Sequence, residues 1–155
     1  MNNTNEMTVT FKAKAQNEAF SRMVVAAFIA GTNPTLEEVS DVKTAVSEAV
    51  TNSIIHGYGV SKDVSEASYE PYITIYAQLS GRSVYIEIRD DGCGIPDIKK
   101  AMEPMYTTKP KEDRSGMGFS FMEAFMDKLE VDSTVGVGTV VKMWKEIGVV
   151  KHHFE

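Results

Sequence analysis

Two segments flanking one tight turn limit this chain more than any other feature. Ile73, Ile75, Ala77 and Leu79 alternate in the first, and Val84, Ile86 and Ile88 alternate in the second. A period of two is that of a strand with one buried face. Ser80-Gly81-Arg82 joins the two as a tight turn, so they form a hairpin. A hairpin that is apolar on one side needs a second layer to cover that side.

The rest of the chain supplies the layer. Phe20, Met23, Val24, Ala27 and Phe28 follow the helical period and predict an amphipathic helix. Gly31-Thr32-Asn33-Pro34 breaks it. Thr35 with Glu38 is a capping box that opens a second helix. Its apolar stripe takes in Leu36, Val39, Val42, Val46, Ala49 and Val50, with Gly57 and Gly59 as C-caps. Val9, Phe11 and Ala13 share one face of a first strand at 8–13. A later helix over 118–127 is expected to bury Phe121, Met122, Phe125 and Met126. Val131 lies in a fourth strand. Val135-Gly136-Val137-Gly138 then turns into a last strand at 139–144. Residues 59–71 read as a turn-rich loop, 91–118 as irregular around a short helix at 97–103, and 148–155 as a frayed tail. The expected fold is an α/β (α+β) two-layer sandwich: one mixed, mainly antiparallel sheet with helices on one face. It forms a single domain over 1–155 with its core at about 6–147.

A length of 155 residues suits one domain with one core. The net charge of −6 argues against a broad nucleic-acid surface but allows a local phosphate grip. The lone Cys93 excludes an intrachain disulfide and fits a reducing compartment. Residues 1–8 are polar, without the apolar core of a signal peptide, and no segment is long and apolar enough to span a bilayer. The expected location is cytoplasmic. There is no zinc-type ligand cluster.

Four constellations are able to carry chemistry. Glu48 and Asn52 stand four apart in the second helix, which puts both on one face with Cβ atoms roughly 6 Å apart. A carboxylate there takes a proton; a carboxamide binds a hard cation. Taken alone, the pair reads first as a polar helix edge. His56 continues that face and reads as a packing or C-cap residue. Asp90 shares a strand face with Val84, Ile86 and Ile88, so its carboxylate points coreward and needs donors. Gly92 and Gly94 follow, letting backbone approach a ligand closely. That arrangement suits a flat ring with an exocyclic amino group, although Asp-Asp-Gly also makes ordinary turns. Thr107-Thr108-Lys109-Pro110 through Arg114-Ser115-Gly116-Met117-Gly118 gathers hydroxyls, two cations and a glycine pair at a helix N-terminus. Such a set favours an anion, though it lacks Walker A spacing and also reads as a solvated loop. Gly138-Thr139 opens the last strand, and Thr139 gains a role only through a partner such as Asp90.

The order of these motifs is informative: Glu-x-x-x-Asn, then Asp-x-Gly-x-Gly, then a lid ending Gly-x-Gly, then Gly-Thr. It resembles the GHKL ATPase/kinase superfamily of gyrase, the ninety-kilodalton heat-shock chaperone, histidine kinases and MutL, with its Bergerat fold. Within it, Ser47-Glu48-Ala49-Val50-Thr51-Asn52, Ile55-His56-Gly57-Tyr58, Asp90-Asp91-Gly92-Cys93-Gly94-Ile95 and Arg114 through Phe119 are similar to the bacterial anti-sigma factor serine/threonine kinases of the sporulation type. The likeness covers about residues 6–147.

The resemblance implies an ATP-dependent protein serine kinase using ATP/ADP and Mg²⁺. Asn52 would ligate the Mg²⁺ and Glu48 would be the general base. Asp90, helped by Thr139, would accept from the adenine amino group, and Gly92 and Gly94 would let the loop close. Thr107, Thr108, Lys109, Arg114, Ser115, Gly116, Met117 and Gly118 would hold phosphates as part of a nucleotide-ordered lid over 102–118. The implied partners are a sigma factor of the sigma F type, held inactive, and an anti-anti-sigma (STAS-domain) protein phosphorylated on serine. Glu18 and Arg22 would contact partners. A homodimer through the first strand and helix is expected, and neither nucleic acid nor membrane. Two departures stand out: 59–71 is long for the family, and Cys93 replaces a small apolar residue. A stress-response (sigma B type) anti-sigma kinase shares the chemistry. A nucleotide-binding anti-sigma module without kinase activity is the other alternative, against which the intact Glu48 argues.

Overall fold

The computed structural model describes residues 4–59, 71–103 and 118–148. Residues 60–70 of the loop expected at 59–71, the tail beyond 148, and Thr107, Thr108, Lys109, Arg114, Ser115, Gly116 and Met117 lie outside them. The elements run β1 (Thr4–Lys12), α1 (Ala15–Ile29), α2 (Leu36–Asn52), β2 (Tyr72–Ser80), β3 (Ser83–Asp90), α3 (Ile98–Ala101), α4 (Gly118–Phe125), β4 (Lys128–Thr134) and β5 (Gly138–Glu146). The strands form one sheet in the order β1-β2-β3-β5-β4. Every described pairing is antiparallel, where a mixed, mainly antiparallel sheet was expected. Among the described residues no helix is long and apolar enough to cross a membrane.

The central hairpin sets the register. Leu79 faces Val84, Ala77 faces Ile86 and Ile75 faces Ile88, so both strands turn their apolar side the same way. These residues join Val25 and Ile29 of α1, Val42, Val46 and Val50 of α2, and Met122 of α4 in one core. Burying each such side chain stabilises the fold by roughly 1.5–3 kcal/mol relative to exposure. On the other face of the sheet, Tyr85 lies against Trp144 with ring centroids 4.9 Å apart, and Lys128 sits over Trp144.

The first helix is rotated from its expected phase. Its buried line is Ser21, Val25 and Ile29. Phe20 and Met23, expected in the core, are 47% and 64% exposed. A serine tolerates that burial because its hydroxyl donates to the Glu18 carbonyl at 2.6 Å, within its own helix. Phe20 packs edge-on against Phe11 at the rim.

The second helix starts as its sequence dictates. The Thr35 hydroxyl accepts from the Glu38 amide at 3.1 Å, and the Thr35 amide donates to the Glu38 carboxylate at 2.9 Å. Gly148 N–H donates to the other oxygen of the same carboxylate. Thr35→Ala is therefore expected to cost about 1 kcal/mol, read as a lower urea midpoint at unchanged m-value. Leu36, expected in the apolar stripe, is the first helical residue and stays 90% exposed. The C-terminal end also departs from expectation. No left-handed glycine ends the helix: the chain continues through a wider π-type turn at Ser53–Tyr58, and Gly59 is right-handed. Turns of this kind widen a helix where a site is built.

The fourth helix buries Phe119 and Met122, with Met126 just beyond its end. Phe121 and Phe125, expected in the core, instead stack on each other at 6.2 Å, half-exposed. The buried Lys145 donates to the Phe125 carbonyl at 2.8 Å, satisfying an acceptor that the helix end leaves open.

Candidate functional site

A cleft of about 390 Å³ opens where the end of α2, the end of β3, the segment after it and the start of α4 converge. Of the residues singled out in the sequence, Asn52, Asp90, Gly94, Gly118 and Thr139 line it. Gly92 lies just behind, donating its amide to Asp90 Oδ1 at 3.0 Å. Glu48 is not in the lining; it sits one turn before Asn52, next to Ala49, which is. Glu18 and Arg22 are on α1, away from the cleft.

Asp90 is the polar centre. It ends β3 on the buried face and is only 7% exposed. Ser53, itself buried, donates its hydroxyl to Asp90 Oδ2 at 2.7 Å. Burial pushes the carboxyl above its ordinary value, against the opposing pull of hydrogen bonds from Ser53 and the Gly92 and Thr139 amides. A carboxylate offers about four lone-pair positions, so acceptor capacity remains toward the cleft.

Thr139 sits directly opposite Asp90 across the β3–β5 pairing. Its hydroxyl lies 2.8 Å from that of Ser133. Ser133 also accepts from the Ile95 amide at 2.8 Å and donates to the Gly138 carbonyl at 3.1 Å. Ser133 has one proton, and a carbonyl only accepts. Thr139 therefore donates to Ser133, and its lone pairs are left as acceptors beside Asp90.

Three glycines make the close packing possible. A Cβ on Gly92 would stand 2.3 Å from the Gly57 carbonyl oxygen, and one on Gly57 would stand 3.2 Å from Asp90 Oδ1. Gly57 is thus a packing residue for Asp90, where a C-cap was expected. Gly94 has φ +77, and a Cβ there would meet the Thr134 carbonyl at 2.4 Å. Both positions of the Asp-x-Gly-x-Gly run serve backbone against backbone first. Tyr58 ties the same region down: its hydroxyl donates to the Tyr72 carbonyl at 2.7 Å and accepts from the Asp91 amide at 2.6 Å.

The walls are apolar, formed by Ile95, Phe119, Val135 and Val141. At the other end the Asn52 carboxamide lies against Gly118, where a Cβ would be 3.0 Å from its nitrogen. One end thus offers acceptors to an N–H of a flat group, and the other a carboxamide beside a helix N-terminus. Ser53, Tyr58 and Ser133 were not anticipated. A signal for Ser53 was present: it falls on the buried line Val46, Ala49 and Val50, as Asp90 falls on the buried face of β3. A buried donor and a buried acceptor must find partners. His56 and Cys93 also line the cleft; the Cys93 thiol donates to the His56 carbonyl at 3.0 Å.

Comparison with known proteins bears on the whole chain. The family of histidine kinase-like ATPase domains matches residues 11–145. An anti-sigma F factor of Thermoanaerobacter sp. (strain X514) is 54% identical over 148 residues, covering 96% of this chain and 98% of that protein. An anti-sigma F factor of Clostridium beijerinckii is 52% identical over 94% of this chain and 97% of its own length. One from Bacillus licheniformis is 48% identical over 95% and 96%. A crystal structure of the RsbU and RsbW domains of a Mycobacterium tuberculosis protein superposes with a TM-score of 0.63 at 19% identity. It covers 92% of this chain and 32% of that longer one, and shows a shared fold.

Proposed function

The chain belongs to the histidine kinase-like ATPase domain family and, within it, to the anti-sigma F factors; from this we propose that it is a nucleotide-dependent anti-sigma factor and protein serine kinase. It binds ATP/ADP in the cleft, holds a sigma factor of the sigma F type inactive, and phosphorylates a serine of an anti-anti-sigma protein. The observation that carries the reading is the buried Asp90, held by Ser53 and Gly92 with acceptor capacity toward an apolar-walled cleft. A carboxylate so placed suits the adenine amino group, and Thr139 presents a second acceptor beside it.

The residues divide the work. Asp90 and Thr139 accept from the base, and Ile95, Phe119, Val135 and Val141 take its faces. Asn52 offers its carboxamide oxygen to Mg²⁺. No group of three or more His, Cys, Asp or Glu gathers for a metal among the described residues, so this cation would rest on Asn52 and phosphate oxygens. When bound, ATP supplies the γ-phosphoryl group and Mg²⁺ the countercharge. Glu48 takes the serine hydroxyl proton as the serine oxygen forms its bond to phosphorus and ADP leaves. Thr107, Thr108, Lys109, Arg114, Ser115, Gly116 and Met117 are assigned to the phosphates from their sequence, supported by the place of Gly118 against Asn52. Glu18 and Arg22 form the partner-contacting pair. The exposed Phe20 and Met23 supply the apolar surface that a homodimer through β1 and α1 would cover.

The direct test mixes the chain with labelled ATP, Mg²⁺ and the anti-anti-sigma protein of the same organism. Label on a serine of that protein is expected. Nucleotide binding without transfer would overturn the kinase part and leave a nucleotide-binding anti-sigma module.

The raised Asp90 pKa gives a pH signature. Only the ionised carboxylate is a pure acceptor, so base affinity should fall as pH drops through the raised value, by about tenfold per unit. Loss begins at a higher pH than an exposed Asp would give. In the free protein the sign reverses: ionising a group whose folded pKa is raised costs stability as pH climbs from the ordinary value to the raised one. Calorimetric titration with adenosine, which has no phosphate to titrate, reads the effect. A flat profile below neutrality counts against the assignment.

A further inference from the structure

Helices α1 and α2 pack against each other and share a link that the phosphoryl-transfer chemistry does not use. Ser47 directly precedes Glu48 on α2, and its hydroxyl donates a short hydrogen bond to Glu18 Oε1 on α1. The same oxygen lies 2.9 Å from Arg22 Nε, one turn along α1. The Arg22 side chain is 41% exposed and that of Glu18 is 22% exposed. The Arg22 Nε–H is not aligned on any acceptor, so charge rather than a directed bond holds the guanidinium to Glu18. A partly exposed ion pair four residues apart is too weak to fix two long side chains by itself. A charge-assisted bond from the neighbouring helix is the stronger restraint.

We propose that Ser47 is a positioning residue for partner capture: through Glu18 it sets Arg22, and it keeps that charged pair in register with Glu48 on the same turn of α2. The proposal rests on the reading of Glu18 and Arg22 as partner contacts. A protein docked on α1 is thereby referenced to the helix that carries the base. The bland alternative is a bond that only joins α1 to α2.

The test uses the full-length chain with saturating ADP or a non-hydrolysable ATP analogue. Dissociation constants are measured calorimetrically for the sigma factor and the anti-anti-sigma protein of the same organism. Ser47→Ala should weaken at least one of them roughly fivefold to tenfold. Ser47→Thr, which keeps the hydroxyl, should restore it. In a Glu18→Ala background, Ser47→Ala should change affinity by less than about twofold, because the two act as one unit. Nucleotide affinity should not move. Wild-type affinity of Ser47→Ala for both partners overturns the proposal. So do effects of Ser47→Ala and Glu18→Ala that simply multiply, since residues acting as one hydrogen-bonded unit can be lost only once. Wild-type binding without phosphoryl transfer defeats the kinase reading separately, because this test reads binding only; a chain that binds neither partner defeats both.

Discussion

Glu48→Gln is expected to slow phosphoryl transfer to the acceptor serine by about 10²–10⁴-fold, with nucleotide affinity changed by less than about twofold. The substitution keeps shape and removes the proton acceptor. At 1.36 kcal/mol per decade, the loss corresponds to roughly 3–5 kcal/mol of transition-state stabilisation. Nucleotide affinity is spared because Glu48 is absent from the cleft lining, whereas Asn52, one turn on, is part of it. The two roles proposed for Asn52 and Glu48 are thus separable by position: the first residue lines the cleft, and the second does not. Single-turnover transfer at saturating acceptor isolates the chemical step from docking and product release. Undiminished transfer in the variant would remove Glu48 from the base role. An equal loss of nucleotide binding would instead make it part of the nucleotide site.

What was legible in the sequence follows the range of each signal. The hairpin of β2 and β3 was read residue by residue, because strand parity is strictly local and Gly81 marks the turn. Parity also placed Asp90 on the buried face before any partner was visible. The phase of α1 was misread for a physical reason. The largest apolar side chains mark one stripe, but Ser21 is buried on a bond within its own helix while Phe20 and Met23 stay outside. The same bias put Phe121 and Phe125 in the core in place of Phe119. Gly57 and Gly59 stand where a glycine cap would end α2, which is why the sequence predicts one there. Gly57 is there because Asp90 and Gly92 press on it, a contact made across elements. Ser133 and Tyr58 were out of reach for that reason: each acts by bridging groups that only the completed sheet brings together.

Asp90→Asn is expected to weaken adenine-nucleotide binding by at least about a hundredfold, equal to roughly 2.7 kcal/mol. The carboxylate serves three donors at once, the Ser53 hydroxyl at 2.7 Å, the Gly92 amide at 3.0 Å and the Thr139 amide; the proposed nucleotide adds its base amino group. A carboxamide has one acceptor oxygen and replaces the other by an NH₂ group. Whichever way it turns, its NH₂ group takes the place either of the oxygen that accepts from the Gly92 amide or of the one that accepts from Ser53. Each buried donor left without an acceptor costs about 1–3 kcal/mol, and two such groups are at stake when nucleotide is bound. The free protein is hurt less. Without ligand, the variant also sheds the burden of a buried charge, the same burial that raises the Asp90 pKa. Affinity should therefore fall far more than thermal stability does. The pH dependence of adenosine binding should vanish with the titrating group, which ties this variant to the wild-type titration. Calorimetry with ADP and adenosine, beside a thermal melt of each protein, separates the two effects. A variant that binds ADP with wild-type affinity would show that the base is read elsewhere. One that loses binding only because it no longer folds would reveal itself in the melt, and Ser53→Ala then tests the same contact from its donor side, leaving the carboxylate in place.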